Sequence, residues 1–186
     1  MTETVIVKKL NKSYGQKPVI KDLSFSVFQG EIVGLLGAKG AGKSTTINIL
    51  STILKHDSGN VLIGGFDLMK DKSKIKKVVG IVPQDLAIYE EISAEKNVSF
   101  FASLYGLNGA ELKANTSKAL QQAGLYEHRT EKPKTFSGGM KRRLNIACAI
   151  AHAPKLIIMD EPTVGIDPQS RNHISALLIL RYCYYF

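Results

Sequence analysis

A glycine-rich segment between two ordered elements constrains the fold of this chain more than any other feature. Residues 37–45, Gly-Ala-Lys-Gly-Ala-Gly-Lys-Ser-Thr, fit the pattern G-x-x-x-x-G-K-[ST] without a gap. The segment 31–36 before it is nearly continuously apolar at Ile32, Val33, Leu35 and Leu36 and predicts a strand buried on both faces. Residues 44–54 carry apolar side chains at helical spacing. Strand, glycine loop and helix follow in the order in which phosphate-binding loops are built.

The residue types of this loop suit a phosphate ligand. Glycines let the backbone curl so that its N–H groups point at phosphate oxygens, and the following helix adds its positive end. Lys43 can reach the β- and γ-phosphates, and the Ser44 hydroxyl is a hard oxygen ligand suited to Mg²⁺. The alternative, a glycine turn before an unrelated helix, is disfavoured because both flanks fit. The predicted nucleotide-binding residues of the loop are Gly37, Ala38, Lys39, Gly40, Ala41, Gly42, Lys43, Ser44 and Thr45.

A second apolar strand is predicted over Leu156–Met159, and two acidic residues follow it. Asp160, at the end of a buried strand, can hold the water shell of Mg²⁺. Glu161 lies one residue further along and can act on an attacking water. An ordinary exposed acid at a strand end is the alternative interpretation, and the phosphate loop makes it the weaker one.

Periodicity predicts the remaining elements. Ser137 is predicted to cap a helix that runs from Gly138 to about His152 and ends before Pro154. The other predicted elements are antiparallel strands at 4–10 and 19–28, strands at 60–63 and 78–82, and a helical stretch punctuated by glycines at 93–122.

The net charge of +9 is compatible with a polyanionic partner, or with a solvated and mildly basic surface. The lysines concentrate at positions 70, 72, 74, 76 and 77, and no aromatic residues interleave with them as a single-strand-binding platform requires. No nucleic-acid partner is therefore expected.

The cysteine content and the apolar runs bear on where the chain works. Cys148 and Cys183 have no metal or redox spacing, which favours a reducing compartment. The longest apolar run, residues 174–186, is interrupted by Ser175 and Arg181 and is shorter than the ~20 residues a spanning helix needs. A membrane role is therefore expected to depend on another polypeptide.

At residues 137–141 the sequence Ser-Gly-Gly-Met-Lys resembles the signature motif of ATP-binding-cassette (ABC) ATPases. Tyr14, before the phosphate loop, is similar to the family's aromatic residue that stacks on adenine. Gln84 resembles the Q-loop glutamine, which touches Mg²⁺ and faces the transmembrane partner. Residues 165–168, including Asp167, resemble the D-loop. The resemblance extends over nearly the whole chain, although Lys39 stands where the family most often has asparagine.

The resemblance implies a mechanism that needs two copies. Two such domains are expected to pair head to tail around two ATP molecules. The signature residues Ser137, Gly138, Gly139 and Met140 of one copy would complete the site whose γ-phosphate is held by Lys43 of the other. Mg²⁺ would be held by Ser44, Gln84 and Asp160, and Glu161 and Lys43 would be the catalytic residues. ATP would close the pair, and hydrolysis would open it.

The fold class that follows is α/β, a P-loop NTPase core with a mostly parallel sheet, an antiparallel β edge subdomain and an inserted helical subdomain. Residues 1–84 and 154–186 are expected to form the ATP-binding core, and residues 85–153 the helical subdomain that carries the signature.

The expected function is that of the ATP-binding subunit of an ABC transporter. It would hydrolyse Mg-ATP to power transport, with export favoured, through a separate transmembrane permease subunit at the cytoplasmic face of the membrane. A soluble cassette ATPase of DNA repair or ribosomes is a weaker alternative, because those proteins usually carry two cassettes or large insertions.

The end of the sequence supplies a further alternative, a nucleotide-binding remnant with little ATPase activity. In the family, a switch histidine comes after one more strand beyond the D-loop helix. Residues 181–186 do not resemble that part of the family. The parallel sheet is therefore expected to have an open edge, with the aromatic end Tyr182–Phe186 either covering part of it or only adding apolar surface. His56, His128 and His152 are expected at the surface.

Overall fold

A computed structural model describes residues 2–38, 40–160 and 183–185. The chain divides into two compact units. Within the described ranges, the first unit contains residues 2–81, 155–160 and 183–185, and the second contains residues 82–154.

Eight strands are described, and all of them except the end of β6 belong to the first unit. In chain order they are β1 (Glu3–Tyr14), β2 (Lys17–Phe28), β3 (Ile32–Val33), β4 (Ser58–Ile63), β5 (Phe66–Asp67), β6 (Val79–Val82), β7 (Leu156–Met159) and β8 (Cys183–Tyr185). The helices are α1 (Lys43–Leu50), α2 (Lys72–Val78), α3 (Ala94–Leu104), α4 (Gly109–Gln122) and α5 (Gly138–Ile150), with short 3-10 turns at Tyr126–His128 and Pro133–Thr135.

The antiparallel sheet has the strand order β2-β1-β4-β5. Along β1, Val5, Val7 and Leu10 are buried, as expected for a sheet with one covered face. They share a core with Ile49 and Leu50 of α1. This sheet therefore packs beside the helix that follows the glycine loop.

A two-glycine turn joins β4 to β5. Gly64 and Gly65 both have positive φ angles, of 58° and 83°, and Ile63 pairs with Phe66 across the turn. A two-residue hairpin turn of this kind needs positive φ at both central residues, which glycine adopts without steric cost.

The second sheet has the order β3-β8-β7-β6, and β8 runs parallel to both β3 and β7. All four residues of β7 are buried, which confirms the strand predicted there. The prediction for residues 31–36 was wrong in its extent, since only Ile32–Val33 is strand, Ile32 is 43% exposed and Leu36 is 92% exposed. The reason is position, because β3 lies at one end of this strand order and, among the described strands, pairs with β8 alone.

The last described strand decides between two expectations for the parallel sheet. An open edge was expected where the family's next strand would pair, with the aromatic end either covering part of it or only adding apolar surface. Cys183–Tyr185 lie between β3 and β7, with Ile32 opposite Tyr184 and Leu156 opposite Cys183, as the covering alternative requires. Strand β8, whose sequence does not resemble the family, thus supplies backbone partners to both neighbouring strands.

Two predicted helices end earlier than their apolar patterns do. The helix predicted to residue 54 ends at Leu50, and the one predicted to residue 152 ends at Ile150. Thr52 and Ala153 adopt left-handed conformations, with φ of 63° and 53°. A left-handed residue just past the last turn ends a helix, because the backbone N–H groups there turn back to the last helical carbonyls. The Thr52 N–H donates to Ile49 O in this way.

The histidine expectation was wrong for two of the three residues. His56 and His152 are 6% and 9% exposed, and His152 stacks on Tyr105 with ring centroids 3.6 Å apart. The partly buried Tyr105 hydroxyl has a pKa raised by desolvation. His128 is exposed, and its Nδ1 lies 2.8 Å from Glu131.

Cys148 and the lengths of the helices bear on the compartment and the membrane role that the sequence led us to expect. The Cys148 thiol is free and buried, and burial raises its pKa well above the ordinary value, so it is a poor nucleophile. None of the helices in the described ranges is long and apolar enough to cross a bilayer.

An ion pair between Lys12 and Asp57 joins β1 to the segment before β4. Lys12 Nζ lies 2.6 Å from Asp57 Oδ1, and the Ser13 N–H donates to Asp57 Oδ2 at 2.7 Å. Hydrogen bonding to Lys12 holds the pKa of Asp57 below its usual value of 3.8. A carboxyl whose pKa is lower in the folded state stabilises the fold above its unfolded pKa, and this contribution is lost as the pH falls through the folded pKa.

We therefore expect Asp57→Asn to lower the urea midpoint of unfolding at pH 7, and to have no effect once the pH lies well below 3.8. Chemical denaturation at both pH values measures this. A deficit of the same size at both pH values would show that the carboxylate charge is not the source of the effect.

Candidate nucleotide-binding site

The junction between the loop and α1 requires glycine. Gly42 caps α1 with φ 86° and no side-chain cap. A Cβ at Gly42 would lie 2.9 Å from Val19 O, and its positive φ is unfavourable for a side chain. Gly40 has a similar φ of 85° but open space around it. The glycine of the motif that the fold needs most is therefore Gly42.

The first turn of α1 is available to an anion. No acidic residue lies in that turn, and the first intrahelical bond runs from Thr46 N to Gly42 O at 2.8 Å. The N–H groups before Thr46 have no acceptor within the helix, and they carry the positive end of its dipole. The Thr46 hydroxyl is buried and donates to Gly42 O at 3.0 Å, which fixes the loop on the helix.

Lys43 lies against the carbonyls of the same loop. Its Nζ donates to Gly37 O at 2.6 Å and to Ala38 O at 3.0 Å. A lysine ammonium has three donors, so one remains for a ligand. In the part of the chain that the structure describes, no carboxylate pairs with Lys43. A bare helix start and a lysine without a counter-ion fit a phosphate group.

The loop hydroxyls differ in exposure. Ser44 is exposed and Thr45 is half-buried. Asp160 directly follows β7 and is half-buried. These oxygens are of the hard type that Mg²⁺ prefers. Among the described residues no group of three or more His, Cys, Asp or Glu could hold a metal by itself, so a Mg²⁺ ion here would also depend on phosphate oxygens and water.

Tyr14 ends β1 and its ring is accessible, with 53% of the residue exposed. The Lys12 ammonium lies 5.8 Å from its ring centroid, and Lys12 is in turn held by Asp57. An exposed aromatic ring beside a fixed cation suits stacking on an adenine base.

The signature residues begin α5 in the second unit. Ser137 caps the helix as predicted, since its Oγ accepts from Met140 N at 3.2 Å. Gly138 is exposed, and a Cβ there would meet no described residue within 4 Å, whereas Gly139 is buried. Met140 is half-buried. The open backbone at Gly138 leaves this helix start accessible to an anion.

Gln84 is exposed, and two polar residues of α5 hold the segment around it. Arg142 Nη1 donates to Pro83 O at 2.7 Å and to Gln84 O at 3.0 Å. Asn145 Oδ1 accepts from Ala87 N at 3.3 Å. Neither residue was predicted from the sequence. Their signal was that they are polar residues at positions of α5 that lie among buried apolar residues such as Leu144 and Ile146.

The predicted site residues thus divide between the units. The phosphate loop, Tyr14 and Asp160 belong to the first unit, and Gln84 with the signature residues belongs to the second. Lys39, Glu161 and Asp167 lie outside the described residues.

Comparisons with known proteins show which family this chain resembles. A family model described as ABC transporter matches residues 20–164. The linearmycin resistance ATP-binding protein LnrL of Bacillus subtilis is 51% identical over 167 residues, which cover 90% of this chain and 54% of LnrL. The doxorubicin resistance ATP-binding protein DrrA of Mycobacterium tuberculosis is 36% identical, covering 91% of this chain and 52% of DrrA. The chain therefore spans about half the length of these relatives.

Solved structures show the same fold. The cbiO1 protein of Clostridium perfringens, described as part of the ABC transporter complex cbiONQ, superposes with a TM-score of 0.88 at 28% identity, covering 100% of this chain and 78% of cbiO1. An ATP-binding subunit of an ABC transporter superposes with a TM-score of 0.83 at 30% identity, covering 98% of this chain and 78% of that protein. The P-loop NTPase fold predicted from the sequence is confirmed, and the chain belongs to the ATP-binding proteins of the ABC transporter family.

Proposed function

We propose that this chain binds Mg-ATP and hydrolyses it to power transport through a separate transmembrane permease. One observation carries the proposal. At the start of α1 a glycine with φ 86° presents uncapped N–H groups, and Lys43 lies over the same loop with no carboxylate partner in the described ranges. A helix start of this kind beside a lysine favours the binding of a polyphosphate.

The chain's own residues divide the work. The loop N–H groups and Lys43 bind the phosphates, and Tyr14 positions the adenine. Ser44, Asp160 and Gln84 would hold Mg²⁺, which would supply positive charge to neutralise the charge that develops on the phosphate oxygens. Glu161 accepts a proton from the attacking water. Support is most direct for the phosphate contacts, because Lys43 lies against the loop carbonyls and the start of α1 has no side-chain cap.

A second copy of the chain completes the site. Ser137 and Gly138 leave the start of α5 open, with no acidic residue in its first turn, so that it can approach a γ-phosphate bound to the other copy. The D-loop residue Asp167 would act at the same head-to-tail interface. The pair would work at the cytoplasmic face of the membrane, where it meets the permease.

Drug or antibiotic export is the direction we propose. The support comes from the relatives LnrL and DrrA, which are named for resistance to linearmycin and to doxorubicin.

Lys43→Ala tests the assignment of the loop. We expect Mg-ATP affinity to fall roughly ten- to a hundredfold, because the change removes a charge-assisted contact of about 1.5–3 kcal/mol. Equilibrium dialysis with labelled ATP measures it. Lys55→Ala is the matched control, since Lys55 is an exposed lysine of the same unit with no ion pair in the described ranges. Equal affinities of the Lys43 and Lys55 variants would contradict the assignment.

A further inference from the structure

We infer that Arg142 is a positioning residue that holds Gln84 in place for the reaction and links its placement to the signature helix. The inference rests on the proposed function, in which Gln84 contributes to the Mg-ATP site. It adds a residue that the motifs of the phosphate loop, signature and D-loop do not contain.

The contact is made at the base of Gln84. Arg142 is 4% exposed, and its guanidinium donates to the carbonyls of Pro83 and Gln84 at 2.7 and 3.0 Å. These two carbonyls lie on either side of the Gln84 Cα, so the contact restrains the backbone from which the side chain projects. The Gln84 side chain itself is exposed and stays available to a ligand.

The helical period connects this contact to the signature. Gly139, Arg142 and Asn145 are spaced three residues apart and all three are buried, so Arg142 is the helical neighbour of both other residues. Arg142, whose guanidinium holds Pro83 and Gln84, therefore lies between a signature glycine and the amide oxygen that accepts from Ala87 N. A shift of α5 along its axis would move residues 83–87 with it.

Arg143, the next residue of α5, is a natural control for Arg142. Arg143 Nη1 also donates to two consecutive carbonyls, those of Ala123 and Gly124, at 3.0 and 3.1 Å. Both arginines thus bind the backbone of a neighbouring segment, but only Arg142 binds the segment of Gln84. A merely structural role would give the two variants the same consequences.

Amide hydrogen exchange tests the placement without nucleotide. In Arg142→Ala we expect the amides of residues 84–88 to exchange roughly ten- to a hundredfold faster, the effect of losing a charge-assisted hydrogen bond. In Arg143→Ala we expect faster exchange near residues 123–125 and no change at 84–88. Equal acceleration at 84–88 in both variants, or none in either, would overturn the inference. If Arg142→Ala does not fold, Arg142→Lys replaces it, because lysine keeps the charge but not the planar fork of donors.

A double-mutant cycle tests the link to the reaction. We expect Arg142→Ala to lower kcat about tenfold with little change in the KM for ATP, since the loop around Lys43 is untouched. In a Gln84→Ala background the same change is expected to have no further effect, because its target is gone. Equal losses in both backgrounds would refute positioning through Gln84. Absence of hydrolysis by the unaltered chain would instead count against the proposed function, and the exchange experiment would still decide the placement of residues 83–87.

Discussion

Replacing Glu161 by glutamine is expected to lower the rate of ATP hydrolysis by about 10²–10⁴-fold, the usual contribution of a general base. Glutamine keeps the shape of the side chain but cannot accept a proton from the attacking water. Mg-ATP affinity is expected to stay nearly unchanged, because in the proposed mechanism Lys43 and the uncapped start of α1 make the phosphate contacts. Phosphate release and ATP binding are measured on the same preparation.

Glu127→Gln is the control for this experiment. Glu127 is exposed, lies in a short 3-10 turn of the second unit, and has no ion pair among the described residues. It is expected to hydrolyse ATP at the rate of the unaltered chain. A Glu161 variant that keeps full activity would remove Glu161 from the mechanism.

The same Glu161 variant also tests pairing. With hydrolysis blocked, the ATP-bound pair should accumulate, and light scattering should report a dimer in saturating Mg-ATP and a monomer without it. Adding Gly138→Trp, which places a large side chain at the open start of α5, should abolish the dimer. A Glu161 variant that stays monomeric at high concentration with saturating ATP would contradict the head-to-tail arrangement.

The features that the sequence predicted correctly depend on local chemistry. The helix after the glycine loop begins at Lys43, one residue before its predicted start, and Ser137 caps α5 through its own hydroxyl. The strand Leu156–Met159 was predicted with its correct ends, because four apolar residues between charged or polar neighbours leave little freedom. In each case the physical cause lies within a few residues of the element it determines.

The errors came from causes that a single sequence does not display. Thr52 and Ala153 end their helices in left-handed conformations that non-glycine residues rarely adopt, so the apolar pattern continues past the helix. The contact of Arg142 with Gln84 spans 58 residues and depends on tertiary packing. Helix α2 was not predicted from the sequence. Ile75 is its one buried residue, so the helix shows no amphipathic pattern. The catalytic and metal-binding roles of Asp160, Glu161 and Gln84 stay predictions.

The largest expected loss of stability comes from a glycine outside the nucleotide site. Gly59 in β4 has a φ of 105° and faces a bulge of β1. Lys8 pairs with Asn60 and Asn11 pairs with Ser58, so that Lys9 and Leu10 together oppose Gly59. A two-against-one arrangement of this kind brings the two backbones unusually close. A Cβ on Gly59 would overlap Lys9 O and would lie 2.7 Å from Leu10 Cα.

We therefore expect Gly59→Ala to lower the free energy of unfolding by about 2–5 kcal/mol. Roughly 1–2 kcal/mol comes from placing a side chain at a positive φ, and about 1–3 kcal/mol from forcing two packed backbones apart. Because Leu10 is fully buried and shares the core with Ile49 and Leu50 of α1, the displacement should reach the helix that follows the phosphate loop. ATP binding should therefore weaken together with stability.

Gly65→Ala separates the two causes. Gly65 also has a positive φ, 83°, but a Cβ there would meet nothing within 4 Å. This variant should lose only the conformational contribution of roughly 1–2 kcal/mol and should bind ATP normally. Urea unfolding of both variants, analysed for the midpoint at a constant slope, gives the two free energies. If Gly59→Ala loses no more stability than Gly65→Ala, the close approach of β4 to the β1 bulge does not constrain this fold.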